Sequence, residues 1–404
     1  MTRLCLIRAI SYNAEYTAFC RTFYQDLTRL LNMTMTNPDQ YQALLDEKQA
    51  KIEQDFANFS IDASGEKQPF PVLEVFASAP EHFRLRAEFR IWHQEGRCFY
   101  AMFEPGNKRD PYEVTDFPIA SKLINRLMTE IRETIHLPEN DILMQRMFQM
   151  EFLTTLSGDA LITMIYHKPL DEKWQDAAEK LQAQIGFPII GRSRKQKIVL
   201  ERDYVIETLN IAGKTYHYKQ IEGGFTQPNG GMNQQMLAWA KELSEPLSGD
   251  LLELYCGNGN FSVALAEHYN RVMATEISKT SVHAAQFNIE KNGVDNLTIV
   301  RLSSEEFVQA LQGVREFRRL EGIDLSAYNF ETVLVDPPRS GLDDESVKQV
   351  QGYDNIIYIS CNPETLHNNL QVLTNTHEIK RFAIFDQFPY THHIECGVFL
   401  QRKA

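Results

Sequence analysis

From about residue 250 onward, short apolar runs alternate with helical stretches, and this rhythm constrains the fold more than any other feature of the chain. DLLELYC, RVMATE, LTIVRL, ETVLVD and NIIYIS each read as a buried strand, with helical sequence starting near Phe261, Thr280 and Glu305 between them. Strands separated by helices run parallel, because each helix carries the chain back to the starting edge, and both faces of such a sheet become covered. Residues 216–404 are therefore expected to form a doubly wound α/β domain, with ligands at the carboxyl ends of its strands.

The first of those ends is Tyr255-Cys256-Gly257-Asn258-Gly259-Asn260, a glycine loop between strand and helix. Glycines there let backbone approach a ligand, and Glu276, closing the next strand, can accept hydrogen bonds from ribose hydroxyls. A tight turn alone would also explain Gly257 and Gly259. In the dinucleotide pattern G-x-G-x-x-G the third glycine is replaced here by Ser262, which argues against a nicotinamide-dependent oxidoreductase. Asp336-Pro337-Pro338, after the fourth strand, resembles the acidic-Pro-Pro element of methyltransferases acting on nucleobases, and points to S-adenosylmethionine.

Upstream the pattern differs. HFRLRAEFRIWH (82–93) alternates strictly, with Phe83, Leu85, Ala87, Phe89 and Ile91 on one face and Arg84, Arg86, Glu88 and Arg90 on the other. Period two predicts a half-buried strand. A return strand after Gln94-Glu95-Gly96, a helix over 121–134, a hairpin at 157–159 and a helix over 174–183 complete an α+β, antiparallel-sheet module expected over 35–215. A helix opens at Asn37-Pro38. Residues 1–34, with helical character over 16–31, read as an N-terminal extension.

The 404 residues suffice for about two or three domains. No apolar run reaches the ~20 residues that cross a bilayer, and no secretory signal is evident. The six cysteines are scattered without a CxxC pair, so no metal is indicated and reduced thiols in the cytoplasm are expected. A net charge of −13 opposes general phosphate binding, although a local basic face remains able to hold RNA. Arg84, Arg86 and Arg90 are candidates for such a face, against the plainer reading of a solvated charged surface.

Cys361 in YISCNPETL stands where the last parallel strand meets a turn. A buried cysteine is the plain reading. The chemical alternative is specific. Carbon-5 of uracil is too electron-poor to attack a sulfonium, but a thiolate added at carbon-6 makes carbon-5 nucleophilic; methyl transfer, loss of the carbon-5 proton and elimination of the thiolate follow. That scheme needs a cation to favour the thiolate, for which Arg339 is the candidate. It also needs a base, for which DQFPYTHHIECGV offers His392, His393 and Glu395.

Four stretches in this order, ELYCGNGNFS, VDPPRSGLD, YISCNPETL and DQFPYTHHIECGV, resemble the RNA uracil-C5 methyltransferase family. With FRLRAEFRIWH and FTQPN, the resemblance is closest to its bacterial tRNA (uracil-5-)-methyltransferase branch over residues 37–404. It implies a Rossmann-like S-adenosylmethionine domain beside an RNA-binding module, and methylation of uridine 54 in the tRNA T-loop. Cys361 would be the nucleophile and Glu395 the base, with Gln227, Tyr255, Gly257, Asn260, Glu276 and Asp336 holding the cofactor. Phe225, next to Gln227, is the aromatic expected to stack on a flipped base. The expected partner is the T-arm of tRNA, with tmRNA or rRNA as alternative substrates and a non-catalytic tRNA-folding role as an alternative function. A monomer is expected. The cysteine-ligated cluster and small β-barrel of many rRNA-specific members have no counterpart in this sequence.

Overall fold

The computed structural model describes residues 36–60, 70–103 and 110–403. The extension read over 1–34 lies outside them. Helix α1 (Tyr41–Asp55) follows a turn in which the Asn37 side chain accepts from the Asp39 amide at 3.1 Å. The chain continues through β1 (Leu73–Phe76), β2 (Arg86–Gln94), β3 (Arg97–Phe103), β4 (Pro111–Glu113), α2 (Lys122–Ile135), α3 (Asp141–Met144), β5 (Met147–Thr154), β6 (Ala160–Tyr166), α4 (Glu172–Ile185), β7 (Ile189–Ser193) and β8 (Gln196–Val199). Strands β2 to β8 form a seven-stranded sheet ordered β4-β3-β2-β5-β6-β7-β8. Its neighbours are antiparallel except β6 and β7, which α4 connects.

Period two holds along β2 from Ala87: Ala87, Phe89 and Ile91 are buried while Arg90 is exposed. They meet Ile124, Leu127 and Met128 of α2 and Trp174 of α4 in one core. Ser121 caps α2 by accepting from the Ile124 amide at 3.1 Å, and Asp171 caps α4 by accepting from Trp174 at 2.9 Å. The expected strand begins late, because residues 82–85 pair with the irregular segments around residues 118–120 and 228–229. The Leu85 amide donates to Pro228 O at 2.7 Å, and Arg86 Nη1 donates to Gly224 O at 2.7 Å.

The remaining elements are the hairpin β9 (Tyr204–Ile211) and β10 (Lys214–Ile221), then α5 (Gly230–Ser244), β11 (Asp250–Leu254), α6 (Asn260–Leu265), β12 (Val272–Thr275), α7 (Lys279–Asn292), β13 (Leu297–Val300), α8 (Ser304–Leu311), β14 (Phe330–Val335), α9 (Asp344–Val350), β15 (Asn355–Ser360), α10 (Pro363–Leu373), β16 (His377–Phe385) and β17 (Glu395–Arg402). The hairpin is a two-stranded sheet by itself, and β11 to β17 join β1 in an eight-stranded sheet ordered β1-β16-β17-β15-β14-β11-β12-β13. Every neighbouring pair is parallel except those made by β17, which runs against both β15 and β16. The order reverses between β11 and β14, which is where doubly wound sheets open a ligand crevice.

Two features divide the chain differently from the boundaries expected at 35 and 215. Helix α1 and strand β1 belong with the eight-stranded sheet: Leu73 to Phe76 pair with Phe382 to Phe385, and Ile52 and Phe56 pack among Val335, Phe382 and Ile384. Their partners in β16 lie more than 300 residues downstream, so nothing local in the sequence reveals the association. The β9–β10 hairpin spans the second boundary, with Val205 packed on Leu153, Leu161 and Ile190 and Tyr218 packed among residues of the eight-stranded sheet. Among the described residues no helix is long and apolar enough to cross a membrane.

Strand β17 has little room. A Cβ on Gly397 would stand 2.9 Å from Trp239 and 3.0 Å from Phe385. Gly397→Ala is expected to lower stability by about 1–3 kcal/mol through overpacking, measured by urea unfolding; an unchanged midpoint would contradict this close packing.

Candidate active site

The carboxyl edge of the eight-stranded sheet carries the site. Asp336 follows β14, Cys361 follows β15, Tyr255 to Gly259 follow β11, and Glu276 follows β12. Because β17 is reversed, its first residue, Glu395, starts at this same edge. Ser360 pairs with Cys396 in the antiparallel β15–β17 register. One further step along that register sets Cys361 opposite Glu395, the spacing of cross-strand neighbours.

Local chemistry fixes Cys361. The Ser360 hydroxyl donates to Asn362 O at 3.1 Å, and the Asn362 amide donates back to Ser360 Oγ at 3.2 Å. Asn362 caps α10 by accepting from Glu364 N at 3.2 Å, and Pro363 is the first helical residue. The cysteine is thus held between the strand end and the helix cap, partly exposed. Its thiol is pushed well above the ordinary value by burial, then by Glu395 and Asp336, with Arg339 opposing. Glu395 is itself buried, and its carboxyl is raised well above the usual range by burial and Asp336, again opposed by Arg339. Burial pushes Asp336 up to about 7.

Arg339 Nη2 donates to His393 Nδ1 at 3.0 Å, and its carbonyl accepts from Asn362 Nδ2 at 2.8 Å. The buried His393 ring is held neutral, its pKa lowered to about 4 by burial and by His392, Arg339 and Lys48. With Nδ1 accepting, the proton sits on Nε2. The two histidines stack at 4.1 Å with His392 exposed, so the pair orients the arginine.

Beside this edge lies a cleft of about 520 Å³ between the glycine loop and β10. Gln227, Tyr255, Gly257, Asn260 and Asp336 line it, with Phe225, 46% exposed, among them. Three backbone positions here have positive φ: Tyr255 at 63°, Gly257 at 56° and Gly259 at 79°. For a tyrosine this is a costly conformation, of the kind that clusters at ligand sites. Asn260 and Asn233 exchange side-chain amide bonds at 2.9 and 3.0 Å, and Gln387 Nε2 donates to Gln227 Oε1 at 2.5 Å.

The lining contains Glu253 and Asp336 and, among the described residues, neither lysine nor arginine. A ligand with a cationic sulfonium and a nucleoside fits this donor set, and a pyrophosphate does not. Glu276 stands behind the loop, its carboxylate accepting from Gly257 N at 3.0 Å and Ser278 N at 2.6 Å. Ser262, in place of a third glycine, donates its buried hydroxyl to Glu253.

The family model described as tRNA (Uracil-5-)-methyltransferase matches residues 40–403. The chain belongs to the tRNA (uracil-5-)-methyltransferase family. A tRNA/tmRNA (uracil-C(5))-methyltransferase of Cellvibrio japonicus is 55% identical over 90% of this chain and 96% of its own length. Its counterpart from Colwellia psychrerythraea is 53% identical over 91% and 99%. The crystal structure of Pyrococcus abyssi tRNA (uracil-54, C5)-methyltransferase with S-adenosyl-L-homocysteine shares the fold, with a TM-score of 0.64 at 20% identity over 89% of this chain and 83% of that one.

For this member of the family, the candidate RNA-contact arginines separate. Arg84 and Arg86 are buried, at 5% and 6% exposure, where the segment around Gly224 to Asn229 covers the start of β2. Burial removes them from a phosphate-facing surface. A further arginine of the same seven-stranded sheet, Arg192 on β7, is engaged by Glu222 at 2.5 and 2.6 Å. Arg90 remains exposed, its guanidinium 3.8 Å from the Phe148 ring centroid, and His167 packs on the same ring at 4.1 Å. No local signal marks His167, because its meeting with Phe148 depends on the bulged β5–β6 register. None marks Gln387 either, whose buried Oε1 finds no partner among the described residues.

Glu253 offers a pH test. Full burial lifts its carboxyl from 4.5 to about 8, so the folded state holds its proton more tightly than the unfolded chain. Its contribution to stability is complete below the ordinary carboxylate value and is lost as pH rises through 8. Between those values the wild type is expected to lose up to about 1.4 kcal/mol per pH unit more than Glu253→Gln, by urea unfolding; parallel curves would exclude a protonated Glu253.

Proposed function

We propose that this chain methylates carbon-5 of a uridine in tRNA, at position 54 of the T-loop, through a covalent bond between Cys361 and carbon-6. The observation that carries the reading is the opposition of Cys361 and Glu395 at the sheet edge, with Asp336 shared between that pair and the cofactor cleft. The methyl donor is S-adenosylmethionine, which supplies an electrophilic methyl group when bound, held by Gln227, Tyr255, Asn260 and Asp336 around the glycine loop.

The chain's own residues perform the remaining steps. Arg339 favours the Cys361 thiolate, whose sulfur adds to carbon-6 and makes carbon-5 nucleophilic. Once carbon-5 carries the methyl group, Glu395 removes its proton, and elimination frees Cys361. A carboxylate whose pKa is raised by burial is a stronger base for that step than an exposed one. The uridine must leave its stack to reach Cys361, and Phe225 at the cleft is placed to support the extruded base. tmRNA is a second substrate, a reading favoured by the names of the relatives. Action as a cytoplasmic monomer completes the reading.

The deciding experiment incubates the protein with 5-fluorouracil-substituted tRNA and S-adenosylmethionine. A covalent protein–RNA adduct should accumulate with wild type and be absent with Cys361→Ala, while Glu395→Gln should stall as an adduct on ordinary tRNA. An equal adduct yield from Cys361→Ala, or normal turnover by Glu395→Gln, would overturn the assigned roles.

RNA contact is proposed at the Arg90–Phe148–His167 stack, in which Arg90 and His167 pack on the Phe148 ring and the exposed His167 imidazole, held there by Phe148, is the outer aromatic face. Stacking of a base on an aromatic contributes about 1–3 kcal/mol. Phe148→Ala is expected to weaken tRNA binding by about tenfold or more in a filter-binding assay, with cofactor affinity unchanged; wild-type tRNA affinity would remove this surface from the interface.

A further inference from the structure

One buried charge near the catalytic edge comes from far upstream. Lys48, midway along α1, has a side chain only 9% exposed, and its ammonium donates to Asp386 Oδ1 at 2.6 Å and to the carbonyls of Phe388 and His393, each at 3.0 Å. An ammonium has three N–H donors, so all three are engaged. Every acceptor lies in the irregular segment 386–394 between β16 and β17. Asp386 and Phe388 stand where the chain enters that segment, and His393 stands two residues before Glu395. Lys48 therefore draws the two ends of one loop together.

The surroundings hold this clasp in place. The Asp386 side chain is 1% exposed, and its amide donates to Phe76 O at 3.0 Å, fixing it to β1. Tyr41, on the same helix, packs edge-on against Tyr390 at 6.0 Å, and Tyr390 has a φ of 63° and donates to Pro80 O at 2.8 Å. Packing alone does not call for the lysine, since Leu45, Ile52 and Phe56 already bury the helix. A buried ion pair is often no more stabilising than apolar side chains of similar volume. What the charge supplies is direction: three hydrogen bonds aimed at one loop.

We propose that Lys48 is a positioning residue for catalysis, setting through segment 386–394 where Glu395 and the His393–Arg339 pair stand relative to Cys361. The inference rests on the reaction assigned above. It makes α1 part of the catalytic unit, not an appendage to the RNA-binding module.

The test uses the full chain with wild-type, Lys48→Met/Asp386→Asn and Lys48→Arg proteins, assayed for methylation of a tRNA transcript. The double variant removes both charges, so neither is left buried alone. It is expected to melt within a few degrees of wild type and to keep its KM for S-adenosylmethionine. Its kcat should fall about 10- to 100-fold, the loss that a displacement of roughly 1 Å produces. A covalent adduct should accumulate on ordinary tRNA, because removal of the carbon-5 proton then lags behind addition. A kcat close to wild type overturns the proposal, as does a fall in kcat accompanied by a lowered melting temperature and no adduct. If the double variant does not fold, Lys48→Arg is read instead, since it keeps the charge on a longer side chain. There a kcat at least about threefold lower at unchanged KM is expected, and a wild-type kcat overturns the proposal. Absence of methylation by the wild-type chain overturns the assigned reaction itself, and the role of the clasp with it.

Discussion

The reversal of β17 is the constraint on which the site depends. In an all-parallel sheet, each strand presents only its carboxyl end to the ligand edge. One strand running the other way presents its first residue there, and that residue is Glu395. Its neighbours across the ladder are Cys396 to Ser360 and Gly397 to Ile359, so the register that packs the core also sets the acid against the cysteine. A slip of one residue would turn every side chain of β17 to the opposite face. Cys396, Val398 and Leu400 share the core beneath the site with Ile356 and Tyr358, and their burial opposes such a slip. Catalytic geometry and hydrophobic packing are here the same constraint.

The electrostatics follow from that packing. Asp336, Glu395 and Cys361 meet at one edge, where Asp336 raises the proton affinity of both Glu395 and Cys361, and Glu395 raises that of Cys361. Arg339 is the cation that opposes all of this, and the neutral His393 fixes its direction without adding a competing charge. Without ligands the arrangement favours a protonated thiol, which protects an accessible cysteine from premature reaction. A sulfonium ligand beside Asp336 would relieve the carboxyl crowding and favour the thiolate. In the proposed reaction, binding of the cofactor and activation of the thiol would be coupled through a single carboxylate shared by both halves of the site.

Much of this was legible in the sequence because it depends on local signals. Continuous apolar runs with helices between them predict a parallel sheet, and the glycine loop predicts the crevice at its switch point. Ser360-Cys361-Asn362-Pro363 encodes a strand end, the proposed nucleophile, a cap and a first helical residue in succession. What was not legible depends on long-range pairing. The alternation in β2 placed Arg84, Arg86 and Arg90 on one polar face, but the segment near Gly224 covers the first two and leaves the third exposed. The place of α1 and β1 beside β16 leaves no periodic trace, because only the folded chain brings Lys48 to Asp386.

The fate of the arginines bears on how a chain with a net charge of −13 holds a polyanion. Arg86 bonds a backbone carbonyl, Arg192 a carboxylate, and Arg381 both Glu74 and Glu242. These cations organise the interface between the sheets and the edge of the catalytic sheet. They contribute little to releasing counterions from a nucleic acid. The RNA contacts proposed at Phe148 with His167 and at the exposed ring of Phe225 would rely on stacking, which is indifferent to charge. Stacking requires bases already free of a duplex, which helices do not offer and loops do. The T-loop target proposed above meets that requirement, since its uridine has to leave the stack before Cys361 can reach it.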